Sequence, residues 1–297
     1  MTPPVVASAR PRELLARNWD GFLRVPARQH RIAGGGGCGL NVMDFGPLEA
    51  PPLLFIHGWS QSWMCWMKQI EGLSDRFRVV CLDSRGQGDS DKPFGDEHYN
   101  DSALWADDVD AVIHGLKLQK PVLNGWSYGG LVLGDYLALR GTDDIAGVHF
   151  IGAAVINGGR LPFFGPALLR RVPKMSQPNA AIAIEHARKF VRECTAVPSQ
   201  REVFETALAW TMQTPAHVRL SLVKRKLDFR PTLATLKIPV MVSQGLLDQV
   251  ILPAMADEIV KAAPHAIHSR YDRIGHMPFL EDPERFNREL AGFASGL

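Results

Sequence analysis

Short apolar runs alternate along the chain with longer segments in which apolar residues recur at helical spacing. The clearest runs are residues 53–58 (LLFIHG), 78–83 (RVVCLD) and 121–127 (PVLNGWS), and continuous runs of this length predict strands that are buried on both faces. Residues 101–116 carry apolar side chains at roughly helical spacing with acids on the other face, which predicts an amphipathic helix. Further strands are predicted at 145–156, 239–244 and 268–271, and further helices at 62–73 and 131–139.

This alternation of strands and helices predicts an α/β protein in which right-handed βαβ units build a mostly parallel sheet, covered by helices on both faces. Residues 158–231 break the alternation: they are rich in helix formers and are cut by several prolines, so we interpret them as a helical cap inserted over the sheet. Residues 1–27 are rich in Pro and Arg and form an N-terminal extension, with one short helix near 13–23. The predicted core therefore consists of residues 28–157 and 232–297.

A glycine run at residues 34–39 (GGGGCG) contains the pattern G-x-G-x-x-G. In dinucleotide-binding proteins this pattern follows a buried strand and opens a helix. Here the residues that follow, LNVMDFG, alternate as a strand does. We therefore interpret residues 29–45 as two short strands joined by a glycine loop, and we expect no cofactor there.

Composition and charge limit the partners to be expected. Hydrophobic residues make up 46% of the 297 positions and charged residues 22%, as in an average soluble globular protein. The 33 Lys and Arg residues and the 31 Asp and Glu residues give a formal net charge of +2, which gives no reason to expect nucleic acid or an acidic membrane surface as a partner.

The sequence also favours a cytoplasmic location. No apolar run is long enough to span a bilayer, and the N-terminus lacks the charged and apolar regions of a secretory signal. The cysteines are far apart and form no C-x-x-C pair, which favours buried free thiols in a reducing compartment over disulfides or a zinc site. The four cysteines are Cys38, Cys65, Cys81 and Cys194.

The strongest chemical signal is Gly125-Trp126-Ser127-Tyr128-Gly129, which fits G-x-S-x-G between a predicted strand and a predicted helix. A serine at such a sharp strand-to-helix turn is held in a strained backbone conformation, and the small neighbours let other chain segments pass closely. Its hydroxyl is presented near the N-terminal end of a helix, where developing negative charge is favoured. Ser127 is therefore the predicted nucleophile.

A serine hydroxyl needs a base within hydrogen-bond reach and a carboxylate that orients this base. His276 is the predicted base because it lies in a short loop after a predicted strand and before a helix that begins with Asp282 as N-cap and Pro283 at its first position. Asp248, which follows the strand at 239–244, is the predicted acid, and the chain order Ser…Asp…His is one of the known orders of serine-hydrolase triads. Asp272 is the main competitor, but its closeness to His276 along the backbone makes the required contact difficult.

Backbone N–H groups are the predicted oxyanion donors: that of Tyr128, directly after the nucleophile, and that of Trp59 in the loop His57-Gly58-Trp59-Ser60. His57 is expected to support this loop from a buried position rather than to act as a second base. Aromatic side chains near these positions are candidates for the wall of an apolar substrate pocket, although aromatics in the cap could equally fill the core of the cap itself. These candidates are Trp59, Trp126, Phe163, Phe164 and Trp210.

Five motifs in this order (HGWS, DSRGQGDSDKP, NGWSYGG, GLLDQVILP and GHMPFLEDPERF) resemble the α/β-hydrolase superfamily, with the closest likeness to its serine esterase, non-haem haloperoxidase-like and lactonase branches. The resemblance covers the chain from about residue 29 onward. It implies an eight-stranded, mostly parallel sheet, the site residues named above, a helical cap, and no cofactor or metal. Epoxide hydrolases and haloalkane dehalogenases of this fold have an aspartate where this chain has Ser127.

The expected function is hydrolysis of a carboxylic ester or lactone of small to medium size and apolar character, through an acyl-enzyme. Two alternatives remain open at this point. One is C–C bond hydrolysis or perhydrolysis by the same triad, and the other is a non-catalytic ligand receptor on the same fold, since a fold alone does not establish a function.

Overall fold

The computed structural model describes residues 25–158 and 162–297 with their side chains, and residues 12–14 by their backbone. The predicted helix near 13–23 falls mainly outside these residues, and its first two positions belong to a short strand. The strands are β1 (Arg12–Leu14), β2 (Ala27–Ala33), β3 (Gly39–Phe45), β4 (Pro52–Ile56), β5 (Arg78–Leu82), β6 (Val122–Trp126), β7 (Gly147–Ile151), β8 (Ile156–Asn157), β9 (Leu227–Asp228), β10 (Val240–Gly245) and β11 (Ile267–Tyr271).

The main sheet has the strand order β1-β2-β3-β5-β4-β6-β7-β10-β11. The pairs β1–β2, β2–β3 and β3–β5 are antiparallel, and the other pairs are parallel. At its centre, Leu54 of β4 lies opposite both Val80 of β5 and Leu123 of β6. Every residue of β4 to β7 is buried, which explains their continuous apolar sequences. The predicted mostly parallel eight-stranded sheet is confirmed, and β1 adds a ninth strand at its edge.

The helices are α1 (Met67–Leu73), α2 (Glu97–Asn100), α3 (Ser102–Gly115), α4 (Gly129–Arg140), α5 (Pro166–Met175), α6 (Ala180–Glu193), α7 (Arg201–Gln213), α8 (Ala216–Lys224), α9 (Arg230–Leu233), α10 (Pro253–Ala262), α11 (Pro278–Glu281) and α12 (Pro283–Ser295). Polar side chains cap several N-termini: Asp101 accepts a hydrogen bond from Ala103 N–H at α3, and Asp282 accepts one from Arg285 N–H at α12. Helix α12 therefore begins as predicted, with Asp282 as its N-cap and Pro283 at its first position.

Two further predicted elements differ from the structure. The strand at 145–156 ends at Ile151, because Gly152 has φ +45° and turns the chain out of the sheet. The helix at 62–73 begins as a 3₁₀ turn, Trp63–Trp66, and becomes α-helical only in α1. The glycine run forms a short 3₁₀ turn, Gly35–Gly37, that joins β2 and β3 as a hairpin.

The segment predicted as a cap contains α5, α6, α7 and α8. It leaves and rejoins the core through the two-stranded antiparallel sheet of β8 and β9, in which Ile156 pairs with Asp228 and Asn157 with Leu227. Helix α6 packs against both α5 and α7, and α5 also contacts α8. The proposed division of the chain into an N-terminal extension, a core and a cap is consistent with this arrangement.

All four cysteines are free and buried. No helix in the described ranges has the length and the apolar character that a membrane crossing requires.

Candidate active site

Ser127 lies between the end of β6 and the start of α4, with φ +55°. This left-handed conformation costs an L-residue roughly 1 kcal/mol, so it persists only where the surroundings impose it. Three backbone hydrogen bonds do so here. The Ser127 N–H donates to Ile151 O (3.0 Å), and the Ser127 carbonyl accepts from Gly130 N–H (3.0 Å) and Ala154 N–H (2.9 Å).

The glycines of this turn are required by close backbone contacts. A Cβ on Gly129 would lie 2.4 Å from the carbonyl oxygen of Ile56, and one on Gly125 would lie 2.7 Å from the carbonyl oxygen of Gly129. A Cβ on Gly58 would lie 3.0 Å from Ser127 Cβ. The turn therefore packs directly against the end of β4 and the loop after it.

His276 and Asp248 form a buried pair, in which His276 Nδ1 and Asp248 Oδ2 are 2.7 Å apart. The other carboxylate oxygen, Oδ1, accepts from Val250 N–H (2.7 Å) and Ile251 N–H (3.0 Å). The ionised carboxylate acts only as an acceptor, so its bond to Nδ1 fixes the tautomer that carries a proton there and leaves Nε2 as an acceptor. Asp272 is exposed, in agreement with the choice of Asp248.

The backbone of His276 is held on both sides. Its N–H donates to Cys194 O (2.8 Å) at the end of α6, and its carbonyl accepts from the indole N–H of Trp126 (2.9 Å). Gly152 lies behind the pair, where a Cβ would come within 3.2 Å of His276 Nδ1 and 3.4 Å of Asp248 Oδ2. The cap, the strand before Ser127 and the turn after β7 thus jointly set the position of the imidazole.

Ser127 and His276 both line one cavity of about 320 Å³. Within the described residues, the His276 side chain makes one hydrogen bond, to Asp248, and none to Ser127. In enzymes without bound substrate the contact between base and nucleophile is often long, and it shortens in the complex. Most of the other lining residues are apolar and come from both core and cap, including Trp59, Trp126, Leu131, Phe164, Leu168, Val172, Phe190, Val250 and Ile251.

The backbone N–H groups predicted to hold an oxyanion belong to residues that line the same cavity. In the part of the chain that the structure describes, neither Trp59 N–H nor Tyr128 N–H donates to a protein acceptor. Buried backbone donors are rarely left without a partner. Among the described residues, the N–H groups of Trp59 and Tyr128 therefore remain without a protein acceptor, as the predicted oxyanion role requires.

His57 has the buried, supporting position that we expected. The pKa of its imidazole is lowered to about 4 by burial. Its Nδ1–H donates to Gly58 O (2.8 Å), and its Nε2 accepts from Ser84 N–H (3.1 Å), so both ring nitrogens are used to hold loops together. It does not line the cavity around Ser127.

The family of the chain can now be stated from comparisons with known proteins. Residues 53–289 match the alpha/beta hydrolase family. The chain belongs to this family. The match starts at β4 and ends within α12, so it covers most of both proposed core segments and the proposed cap between them.

Similar proteins of known structure point in the same direction. An esterase from Rhodococcus sp. ECU1013 is 32% identical, with a TM-score of 0.86 over 91% of this chain and 99% of that chain. A putative aryl esterase from Burkholderia cenocepacia is 28% identical, with a TM-score of 0.83 over 90% of this chain and 98% of that chain. Among curated sequences, the AB hydrolase superfamily protein YisY of Bacillus subtilis is 26% identical over 86% of this chain and 95% of its own length.

Two of the predicted pocket residues lie elsewhere in this hydrolase. Trp126 and Phe164 line the cavity, whereas Trp210 and Phe163 do not. Trp210 is buried, and its indole N–H donates to Gln61 Oε1 (2.6 Å). It therefore positions the side chain of Gln61, which does line the cavity. The carbonyl of Phe163 accepts from Leu252 N–H (2.8 Å), which ties the start of the cap to the loop after Asp248.

Several lining residues were not found from the sequence. Leu168, Val172 and Cys194 belong to cap helices or their ends, and Leu131 belongs to α4. A helix in a multi-helix cap has apolar residues on more than one face, so spacing alone does not show which face meets the cavity. Strand β7 ends at Ile151, and this places Gly152 behind His276. In the sequence, the glycine itself was the only indication that the strand ends there.

One group of side chains in the described ranges has the spacing that a metal ion would need: Asp110, His114 and Asp144. All three are at the surface or half-buried, and none lines the cavity around Ser127.

Proposed function

We propose that this protein is a serine hydrolase that cleaves carboxylic esters or lactones of small to medium size and apolar character. The observation that carries the proposal is the combination of a serine at φ +55° and a buried histidine–aspartate pair at one apolar cavity. Strain at a non-glycine residue and a buried, oriented imidazole are both features of nucleophilic catalysis. The esterases among the similar proteins support the same reaction class.

The proposed mechanism assigns a role to each of these groups. His276 Nε2 takes the proton of Ser127 as Oγ attacks the substrate carbonyl carbon, and Asp248 stabilises the imidazolium that forms. The N–H groups of Trp59 and Tyr128 donate to the oxyanion of the tetrahedral intermediate. His276 then gives the proton to the leaving alkoxide, and a water molecule activated by the same histidine hydrolyses the acyl-enzyme.

The lining of the cavity supports an apolar acyl or alcohol group. Apart from Ser127 and His276, its polar side chains are Gln61, Asn157, Tyr128, Cys194 and the indoles, and no carboxylate or basic side chain of the described residues lines it. A charged substrate group would lose hydration there without gaining a partner of opposite charge. Neutral substrates are therefore favoured.

Ester turnover by Ser127→Ala tests the proposal. We expect the rate of p-nitrophenyl butyrate hydrolysis to fall by about a thousandfold or more, because no other group replaces the nucleophile. Ser295→Ala, at the exposed end of α12, is the matched control and should retain wild-type turnover. Wild-type turnover by Ser127→Ala would show that the serine is not the nucleophile.

A further inference from the structure

Cap helix α8 and the residue after it place two buried guanidinium groups against the two loops that contain the oxyanion donors. Arg219 lies within α8, and Arg225 follows its last residue. Both side chains are almost completely buried, and neither residue lines the cavity. They lie one layer behind the residues that a substrate would touch.

Arg219 is bonded entirely to neutral groups. Its Nε donates to Ser60 Oγ (3.0 Å), Nη1 donates to Met175 O (2.7 Å), and Nη2 donates to Thr211 O (2.7 Å). Within the described ranges, no carboxylate forms an ion pair with it, and burial lowers the pKa of Arg219 to about 10. A buried cation without a counter-ion costs free energy, and an apolar side chain often stabilises such a position better. Structural packing alone is therefore a poor reason for an arginine here.

The contacts of Arg219 lead directly to Trp59. Ser60, the next residue, has φ +58°, and its Oγ donates to Thr211 O (2.8 Å) while it accepts from Arg219. The Trp59 indole N–H donates to the carbonyl of Arg219 (3.4 Å). The Arg219 guanidinium thus holds the strained residue directly after the donor, and the backbone carbonyl of Arg219 holds the indole of Trp59.

Arg225 does the same for the second donor. Its Nη1 donates to Tyr128 Oη (3.3 Å), and its Nη2 donates to both carboxylate oxygens of Asp135 (2.8 Å each). Tyr128 Oη in turn donates to the carbonyl of Leu222 in α8 (3.3 Å). Because Tyr128 directly follows Ser127, this anchor restrains the backbone that carries the proposed second donor.

We propose that Arg219 and Arg225 are positioning residues that align the Trp59 and Tyr128 N–H groups for the oxyanion, so that α8 couples the packing of the cap to the catalytic machinery. The proposal rests on the proposed function, because it assigns a role within the same site. Oxyanion donors act only when they are held where the negative charge will develop, and errors of about 1 Å reduce rates strongly. The two arginines supply this constraint from the cap.

The test compares two inhibitors with the same alkyl chain. 1,1,1-Trifluorohexan-2-one forms an anionic hemiketal with an active-site serine, whereas hexan-2-one binds as a neutral carbonyl. The variants Arg219→Lys and Arg225→Lys keep the positive charge but lose the planar guanidinium with its several fixed donors. In both, we expect the inhibition constant of the trifluoromethyl ketone to rise about tenfold or more. The inhibition constant of hexan-2-one should stay within about twofold of wild type, and kcat should fall more than KM rises.

Lys224→Met is the matched control. Lys224 is the last residue of α8, but it is exposed and pairs with Asp96, so its removal should change neither inhibition constant. If an arginine variant does not fold, Ser60→Gly tests the contact of Arg219 and Tyr128→Phe tests the contact of Arg225, without changing either arginine. Ser60→Gly removes the hydroxyl and tolerates φ +58°, and Tyr128→Phe removes the phenol oxygen while its backbone N–H stays. Each should weaken binding of the trifluoromethyl ketone selectively.

Equal weakening of both ketones in the variants, or no change in either, would overturn the proposal. Failure of the proposed function itself has a different signature. In that case the wild-type protein would bind 1,1,1-trifluorohexan-2-one no better than hexan-2-one, because no serine would form the hemiketal.

Discussion

At the scale of single residues, the proposed chemistry depends on the pair formed by Asp248 and His276. Asp248 uses one oxygen for two backbone N–H groups and the other for the imidazole, so neither oxygen can turn away without losing hydrogen bonds in a buried site. The sequence indicated both residues because each follows a strand of the parallel sheet. It could not indicate Gly152, whose importance comes from the close approach of its backbone to the imidazole, where a Cβ would be crowded.

Asp248→Asn tests this assignment against Asp272→Asn. The amide would present an N–H₂ or a weaker acceptor to His276, which favours the wrong tautomer, so we expect kcat to fall by about 10³–10⁴-fold with the fold retained. Asp272 is exposed, and its variant should keep normal turnover. Ester turnover and thermal unfolding of the two purified variants provide the comparison. A large loss in Asp272→Asn with a normal Asp248→Asn would contradict the assigned acid.

At the scale of elements, the tight turn between β6 and α4 determines where Ser127, the proposed nucleophile, lies. The strands around it were predictable to within a residue or two, because runs such as 53–58 and 121–127 are continuous and bounded. The run at 145–156 was predicted too long, since an apolar sequence does not reveal that the chain leaves the sheet at Gly152. The 3₁₀ start of the helix at 62–73 was hidden for a similar reason, because 3₁₀ and α spacing are nearly alike over one turn.

Glycine substitutions at two helical positions should have opposite effects on stability. In Gly129→Ala the new Cβ would lie 2.4 Å from the Ile56 carbonyl oxygen, so we expect a lower unfolding temperature together with lost turnover. Gly292 lies inside α12, and a Cβ there would have no neighbour within 4 Å. Gly292→Ala should therefore stabilise the protein by about 0.5–1 kcal/mol with unchanged turnover. Thermal unfolding measures both effects, and a stable, active Gly129→Ala would show that the turn can relax.

At the scale of the whole molecule, the cavity is a joint product of the core and the cap. The core supplies Ser127 and His276, while α5 and α6 supply apolar walls such as Leu168 and Phe190. The sequence predicted the helical insertion, but not its inward faces. For this reason the sequence could not distinguish Phe164, which lines the cavity, from Trp210, which does not, since a buried aromatic in a cap can serve either the cavity or the interior of the cap.

Enlarging a wall residue of the cap should change the size of substrate that is accepted. We expect Leu168→Trp to reduce turnover of p-nitrophenyl butyrate more than turnover of the acetate, because the indole occupies part of a cavity of about 320 Å³. Ile184→Trp, on an exposed face of α6, is the matched control and should leave the ratio of the two rates unchanged. The ratio of kcat/KM for the two esters is the quantity to compare. An unchanged ratio in Leu168→Trp would show that the acyl chain does not reach this wall.

The most direct test of the central claim is intact-protein mass spectrometry after reaction with a fluorophosphonate. Such a probe labels a serine only when a base and oxyanion donors activate it. The mechanism predicts a single adduct on the wild-type protein and none on Ser127→Ala. An unlabelled wild-type protein, or an adduct that persists in Ser127→Ala, would contradict the assignment of Ser127 as an activated nucleophile.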